Sequence, residues 1–172
     1  MLWHWKTLIL QITTLIQTSS FTPHTRIHKH TQLSILQEPK DSKFGRQDYW
    51  NEFYKQEESF SWYSSWNELQ PFVNEIFGSN EQHVLIPGVG NDALLKDMFD
   101  SGWTLTAFDY APAGIECQEK LLGSRSDNIT LVVADARSLP FDSSSFDGVI
   151  DKGTLDAIYL SGGKDKTLGK EH

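Results

Sequence analysis

The stretch that most constrains the fold of this chain is an apolar run that ends in two glycines. Residues 83–92 read His-Val-Leu-Ile-Pro-Gly-Val-Gly-Asn-Asp. Residues 84–86 lack polar alternation, which is typical of a parallel strand buried on both faces. Gly88 and Gly90 let the backbone adopt positive φ and let a ligand approach closely. The asparagine and aspartate that follow can cap a helix over residues 93–101, so the pattern predicts strand, tight turn and helix.

A second apolar run ends in an acid whose spacing from the glycines, counted along the sequence, is typical of a nucleotide-binding unit. Residues 103–109 read Trp-Thr-Leu-Thr-Ala-Phe-Asp, and Asp109 lies 21 positions after Gly88. In a nucleotide-binding βαβ unit, the acid at the tip of the second strand reaches the cofactor's ribose hydroxyls about 20 residues after the glycine turn. The spacing therefore predicts that Asp109 binds a ribose. The alternative is a loop glycine pair with a solvated aspartate.

The remaining elements continue the alternation of strand and helix. They are a helix over 111–122, a polar loop over 123–128, and strands over 129–134 and 146–151. Asp135 follows the third strand as Asp109 ends the second, so both acids are expected at the carboxyl edge, where α/β folds bind ligands. The predicted fold class is α/β with a doubly wound parallel sheet of about four strands.

Dense aromatic residues precede the first strand. Their spacing predicts a helix over 47–58 and another over 66–77. The second helix is expected to bury Leu69, Phe72, Val73 and Ile76. For most of these aromatic residues, packing on the sheet is the simplest interpretation.

Composition limits the classes of function. The chain has 172 residues, 38% of them hydrophobic, and a net charge of −8, which favours one domain over 44–172 and disfavours nucleic acid as a partner. The single Cys117 excludes an internal disulfide. The histidines at positions 24, 28 and 30 have no evident supporting ligands, so we predict no metal site.

Residues 1–43 are expected to form a disordered leader outside the fold. The first 37 residues contain Lys6, Arg26 and Lys29 but no acid. The apolar run over 8–16 is too short to span a membrane but is compatible with a signal or transit segment, which favours plastid or other organellar targeting. The alternatives are an unstructured tail or a misplaced start codon in a cytoplasmic protein.

These residues together resemble the class I S-adenosylmethionine-dependent methyltransferases. The segments 86–92, 109–110 and 135–136 are similar to that family's cofactor loop, ribose-binding acid and adenine-edge pair. The segments 49–54, 60–63 and 146–157 resemble a narrower group. It holds the elongation-factor and citrate-synthase lysine methyltransferases and their endothelin-converting-enzyme-linked relatives. Pro87, Val89 and Phe53 depart from the group's usual residues.

The resemblance implies S-adenosylmethionine as cofactor and a protein lysine as methyl acceptor. It implies a cofactor pocket lined by Trp50, Tyr54, Trp62, Gly88, Gly90, Asp109, Tyr110, Asp135, Ala136 and Lys152. A neutral amine attacks the sulfonium methyl, so the enzyme mainly aligns the reactants and excludes water. No catalytic residue is assigned. Asp151 or Asp156 would either orient the amine or cap the following helix.

Two other functions are compatible with the pattern. An NAD-dependent dehydrogenase also uses glycines and a ribose acid, with Ala93 at the third glycine position. Asp135 and the aromatic residues before the first strand argue against it. A non-catalytic S-adenosylmethionine-binding fragment is the other alternative, because the family fold has seven strands ordered 3-2-1-4-5-7-6 and this sequence predicts four. On that ground we expect a truncated chain whose fourth strand is an uncovered edge that favours self-association.

Overall fold

The computed structural model describes residues 43–56 and 59–161. Its strands are β1 (His83–Pro87), β2 (Thr104–Asp109), β3 (Thr130–Val133) and β4 (Gly148–Val149). Its α-helices are α1 (Gln47–Gln56), α2 (Trp66–Phe77), α3 (Leu94–Asp100), α4 (Pro112–Leu122) and α5 (Thr154–Ser161). Two short 3-10 helices cover Lys43–Gly45 and Gly123–Asn128.

The strands form one parallel sheet in the order β3-β2-β1-β4. This arrangement confirms the predicted α/β class with a doubly wound strand order. Val84 and Ile86 in β1 pair with Leu105 and Ala107 in β2, and all four side chains are buried. A strand buried on both faces explains why the sequence shows no polar alternation there. The carboxyl ends of β1, β2 and β3 therefore meet at one edge.

Two groups of buried side chains hold the helices to the sheet. The larger group joins α2 and α3 to β1 and β2, and includes Trp66, Leu69, Val73, Leu95 and Met98. The smaller group packs α1 on α4 through Trp50, Tyr54, Ala111 and Ala113. Across the second contact, the backbone N–H of Ala113 donates to Asn51 Oδ1 at 3.0 Å, which satisfies an otherwise free N–H in the first turn of α4. The aromatic segment is thus part of the fold and lies beside the β2–α4 junction.

The fourth strand is shorter than predicted, and the loop after α4 is helical. We expected a strand over 146–151, but β4 covers only Gly148–Val149. The flanking residues still pair with β1, because Asp147 N–H donates to His83 O at 2.9 Å and Ile150 N–H donates to Leu85 O at 3.0 Å. A Cβ at Gly148 would lie 2.1 Å from the ring of Phe77, the last residue of α2, so a larger side chain at this position would displace that ring. Residues 123–128 form a 3-10 turn instead of a loop, with Ser126 Oγ donating to Gly123 O at 2.8 Å.

The prediction for the buried face of α2 was wrong at one position. Leu69 and Val73 are buried as predicted and Ile76 is half-buried, but Phe72 is 58% exposed. The stripe that faces the core runs through positions 66, 69 and 73, and residue 72 lies at its solvent border.

Several predictions fall outside the described part of the chain or stay untested. The leader, apart from Lys43, lies outside the described residues, so its targeting role stays a prediction. Among the described strands, β4 pairs only with β1, and self-association through this edge also stays a prediction. None of the described helices is long and apolar enough to cross a membrane.

Two substitutions in α2 test this assignment of the buried face. Leu69→Ala should lower the free energy of unfolding by about 2–5 kcal/mol, because it leaves a cavity at a core position. Phe72→Ala is the matched control in the same helix and should change it by less than about 0.5 kcal/mol. Urea denaturation followed by circular dichroism measures both values. Equal losses would show that the Phe72 ring is buried in solution.

Candidate functional site

One cavity opens at the carboxyl edge of the sheet, between α1, the β1–α3 turn and α5. All ten residues predicted to bind the cofactor line it. They are Trp50, Tyr54, Trp62, Gly88, Gly90, Asp109, Tyr110, Asp135, Ala136 and Lys152. The fold therefore brings together residues that are up to 102 positions apart in the sequence. Their contact with a cofactor stays a prediction.

The glycine turn after β1 allows no side chain at its two key positions. Gly88 and Gly90 have φ of +54° and +52°, a region that favours glycine. A Cβ at Gly88 would lie 2.1 Å from Thr154 Oγ1, and the same hydroxyl donates to Pro87 O at 2.9 Å. A Cβ at Gly90 would lie 2.8 Å from the Tyr54 hydroxyl. Thus α5 and α1 both pack directly on this turn.

The carboxylate of Asp109 holds the glycine turn to the start of α4. Its Oδ2 accepts from Gly90 N–H at 2.9 Å and its Oδ1 from Ala111 N–H at 2.8 Å. Asp109 is only 2% exposed, and this burial raises its pKa to about 6 although backbone N–H groups oppose the shift. A carboxylate oxygen has two lone pairs, and among the described residues Oδ1 accepts only the Ala111 N–H, so this oxygen can accept a further hydrogen bond from a ligand in the cavity.

Aromatic rings form the wall beside Asp109. The Tyr54 hydroxyl donates to Asp109 Oδ2 at 3.5 Å, and the Tyr54 and Trp50 rings stack with centroids 5.7 Å apart. Burial, reinforced by the negative charge of Asp109, raises the pKa of Tyr54 far above its ordinary value, so the phenol stays protonated. Trp62 contacts Trp50 edge-on at 6.3 Å between centroids. This side of the cavity offers π faces and a fixed hydroxyl.

The end of β3 supplies a second oriented acid. Asp135 Oδ1 accepts from the Arg137 backbone N–H at 2.9 Å, and the Arg137 guanidinium binds both carboxylate oxygens, with Nε at 3.0 and 3.1 Å. Beside it, the Tyr110 backbone carbonyl accepts from Gln47 Nε2. The buried Tyr110 hydroxyl has no hydrogen-bond partner within the described residues, and burial raises its pKa. Tyr110 also lines the cavity.

Lys152 lies at the opposite end of the cavity and is engaged by protein groups. Its Nζ forms an ion pair with Asp92, and donates to Ser61 Oγ at 2.8 Å and to Ser64 O at 3.0 Å. The Lys152 side chain is only 7% exposed. We call residues 59–65 the strap; they precede α2, and Phe60, Trp62 and Tyr63 among them line the cavity.

Asp151 and Asp156, for which the sequence left two possible roles, have different hydrogen-bond partners. Asp151 accepts from Leu155 N–H at 3.2 Å, so it caps α5, which is one of the two roles that the sequence left open, and burial raises its pKa. Asp156 does not cap the helix; its Oδ2 accepts from the Tyr63 hydroxyl at 2.6 Å. Within the described residues, no group of three or more His, Cys, Asp or Glu side chains is placed to hold a metal ion.

Sequence reasoning missed Gln118, which stabilises the glycine turn from α4. Its Nε2 donates to the backbone carbonyls of Gly90 and Asp92, both at 2.9 Å, and the side chain is fully buried. A glutamine on the otherwise apolar face of α4, between Ile115 and Leu122, is the one signal that marked it. Asp92, predicted as an alternative helix cap, accepts from Leu94 N–H at 2.8 Å and also pairs with Lys152.

Comparison with known proteins finds methyltransferases. Residues 85–162 match the methyltransferase domain family. The eEF1A lysine and N-terminal methyltransferase of Xenopus laevis is 36% identical over 124 residues, which are 70% of this chain and 18% of that protein. The human protein of the same name is 32% identical over 134 residues, 76% of this chain and 19% of its own length. EEF1A lysine methyltransferase 4 of Mus musculus is 28% identical over 123 residues, 69% of this chain and 48% of its own.

The chain thus spans about a fifth of the length of the first two relatives. The family match covers the glycine turn and both acids, Asp109 and Asp135. Together with the parallel sheet order β3-β2-β1-β4, these matches show that this chain belongs to the class I S-adenosylmethionine-dependent methyltransferases, in the group similar to the eEF1A lysine methyltransferases.

Proposed function

We propose that this chain binds S-adenosylmethionine in the cavity and transfers its methyl group to a lysine side chain of a protein. The observation that carries the proposal is the buried Asp109 carboxylate, which fixes the glycine turn and keeps one lone pair of Oδ1 for a ligand. The relatives' names give eEF1A as the first protein to test as substrate.

The residues of the cavity fit the chemistry of this cofactor. Asp109 would accept hydrogen bonds from the ribose hydroxyls, since its charge strengthens them. The Tyr110 hydroxyl, buried and without a protein partner in the described part of the chain, would serve the nucleoside as donor or acceptor. The faces of Trp50, Tyr54 or Trp62 suit a sulfonium cation. The glycine turn leaves room for close approach of the ligand to the backbone.

The chain's own contribution to transfer is alignment and exclusion of water. The bound cofactor supplies an activated methyl group, and the aromatic wall keeps water from it. The incoming lysine must be neutral to attack. Tyr63 is a poor base, because its hydrogen bond to Asp156 raises its pKa to about 12. We assign the orientation of the amine to Asp156, because it lines the cavity whereas Asp151 caps α5.

The second candidate is a chain that binds the cofactor without catalysing transfer. It is favoured by coverage, because this chain matches only 18% of the Xenopus laevis relative's length. Residues that bind the acceptor in the longer proteins need not lie within that share. Binding and transfer therefore require separate assays.

The affinity for the cofactor product should depend on pH through Asp109. Because burial raises its pKa to about 6 and the ligand hydroxyls bind the ionised form, affinity is full above this pKa and is lost as the pH falls through it. We expect affinity for S-adenosylhomocysteine to fall about tenfold between pH 7 and pH 5. Titration calorimetry at several pH values measures it.

Asp109→Asn is the variant that assigns this pH dependence. It should weaken binding by about 1–3 kcal/mol and leave it nearly independent of pH. Asp127→Asn, at an exposed aspartate outside the cavity, is the control and should behave as the wild type. If the Asp109→Asn variant keeps the wild-type pH profile, another group controls binding.

Transfer is tested with tritium-labelled cofactor and purified eEF1A. The amide oxygen in Asp156→Asn can still accept from the Tyr63 hydroxyl, so this variant should bind S-adenosylhomocysteine within about twofold of the wild type. It should lower methyl transfer about 10-fold, because an orienting charge is lost at the acceptor side. Asp127→Asn again serves as the control. Cofactor binding without transfer to eEF1A, to other proteins or to peptides containing lysine would favour the non-catalytic alternative.

A further inference from the structure

Lys152 has no hydrogen-bond donor left for a ligand. A lysine ammonium carries three N–H donors, and here the acceptors are Asp92 Oδ2, Ser61 Oγ and Ser64 O. The Lys152 and Asp92 side chains are 7% and 11% exposed, so the pair is largely removed from water. Such a pair is tolerated when additional hydrogen bonds satisfy its charges, which is the arrangement observed.

The strap depends on polar anchors, because its rings are only partly buried. Phe60, Trp62 and Tyr63 are 41%, 37% and 57% exposed, yet all three line the cavity. Phe60 and Trp62 pack against Phe53 with ring centroids 6.1 and 6.2 Å apart. Hydrogen bonds from the strap to α5 and to the β1–α3 turn therefore supplement this apolar packing, and we call them anchors.

The anchors occur along the whole strap. Near its start, Phe60 N–H donates to Asn91 O at 3.3 Å. In the middle, Lys152 binds Ser61 and Ser64, while the Tyr63 hydroxyl donates to Asp156. Tyr63 has φ of +66°, a backbone conformation that a non-glycine residue keeps only when its surroundings enforce it.

We propose that Lys152 is a positioning residue for the strap and not a cofactor contact. Neutralised by Asp92, its ammonium holds Ser61 and Ser64 so that the rings of Phe60, Trp62 and Tyr63 form one wall of the cavity. We call the hydrogen bonds from the Lys152 ammonium to Ser61 and Ser64 the tether. Its effect on ligand retention rests on the proposed function, whereas its existence in the ligand-free protein does not. The tether is therefore tested on the ligand-free protein.

The test measures hydrogen exchange of the Phe60 amide by NMR in the Lys152→Met variant. Loss of the tether should accelerate this exchange about 10-fold. The amides of Leu85 and Thr106 in the sheet should keep their wild-type rates. Lys96→Met is the matched control, because Lys96 forms an exposed ion pair with Asp97 and Asp100 and should leave the strap unchanged.

A double variant covers the case in which Lys152→Met destabilises the whole domain through an unpaired Asp92. Asp92→Asn removes that charge and keeps an oxygen to accept from Leu94 N–H. The Asp92→Asn/Lys152→Met protein should recover the thermal midpoint lost in the single variant and still show fast exchange at Phe60. If both variants exchange at the wild-type rate at Phe60, the tether is refuted.

Ligand binding then separates the tether from a direct contact. With the tether, S-adenosylhomocysteine should dissociate about 10-fold faster from both variants, in parallel with the faster exchange. Weaker binding with unchanged exchange in the ligand-free protein would instead make Lys152 a cofactor contact and overturn the proposal. Absence of binding to the wild type would contradict the proposed function, and the exchange rates of the ligand-free protein would then decide alone whether the tether exists.

Discussion

The cavity depends on one buried carboxylate. Asp109, at the end of β2, accepts hydrogen bonds from Gly90 in the turn after β1 and from Ala111 at the start of α4. Without these bonds, two buried N–H groups at adjacent strand ends would lack partners, at a cost of about 1–3 kcal/mol each. The Gln118 side-chain amide donates hydrogen bonds to two backbone carbonyls of the same turn. The turn is therefore fixed before any ligand binds.

The ionised Asp109 carboxylate is unfavourable for the stability of the fold. Ionised Asp109 is buried with no cation beside it among its hydrogen-bond partners, so its ionisation costs stability as the pH rises towards its pKa of about 6. A ligand that donates hydrogen bonds to the carboxylate would offset that cost. The Lys152–Asp92 pair and the positive φ of Tyr63 are further features that only their surroundings maintain. Functional sites commonly contain such locally unfavourable groups.

Local sequence patterns predicted most of the fold and the position of Asp109 at the edge of the sheet where the cavity opens. Apolar runs located β1 and β2, the aromatic spacing located α1, and the glycine-to-acid distance identified Asp109. These features depend on residues close in sequence or on one fixed spacing. The strand over 146–151 was predicted too long, because its extent is set by its pairing with the distant strand β1, which covers only Gly148 and Val149. Contacts between distant segments could not be predicted in this way.

Lys152 meets Asp92 across 60 residues, and Tyr63 meets Asp156 across 93. No periodicity specifies such partners. The resemblance implied that Lys152 lines the pocket, which it does, but its ammonium is directed to the strap. Phe72 shows the converse limit, since helical spacing alone placed an exposed ring in the core.

The most direct measurement of whether a turn fixed by Asp109 forms the cofactor site is an NMR titration of the amide resonances with S-adenosylhomocysteine. We predict that the Gly90 and Ala111 amides are already protected from exchange without ligand. We also predict that the largest shift changes fall at 88–92, 109–111 and 135–137. Unprotected Gly90 and Ala111 amides, or shift changes centred elsewhere on the domain, would contradict this role of Asp109.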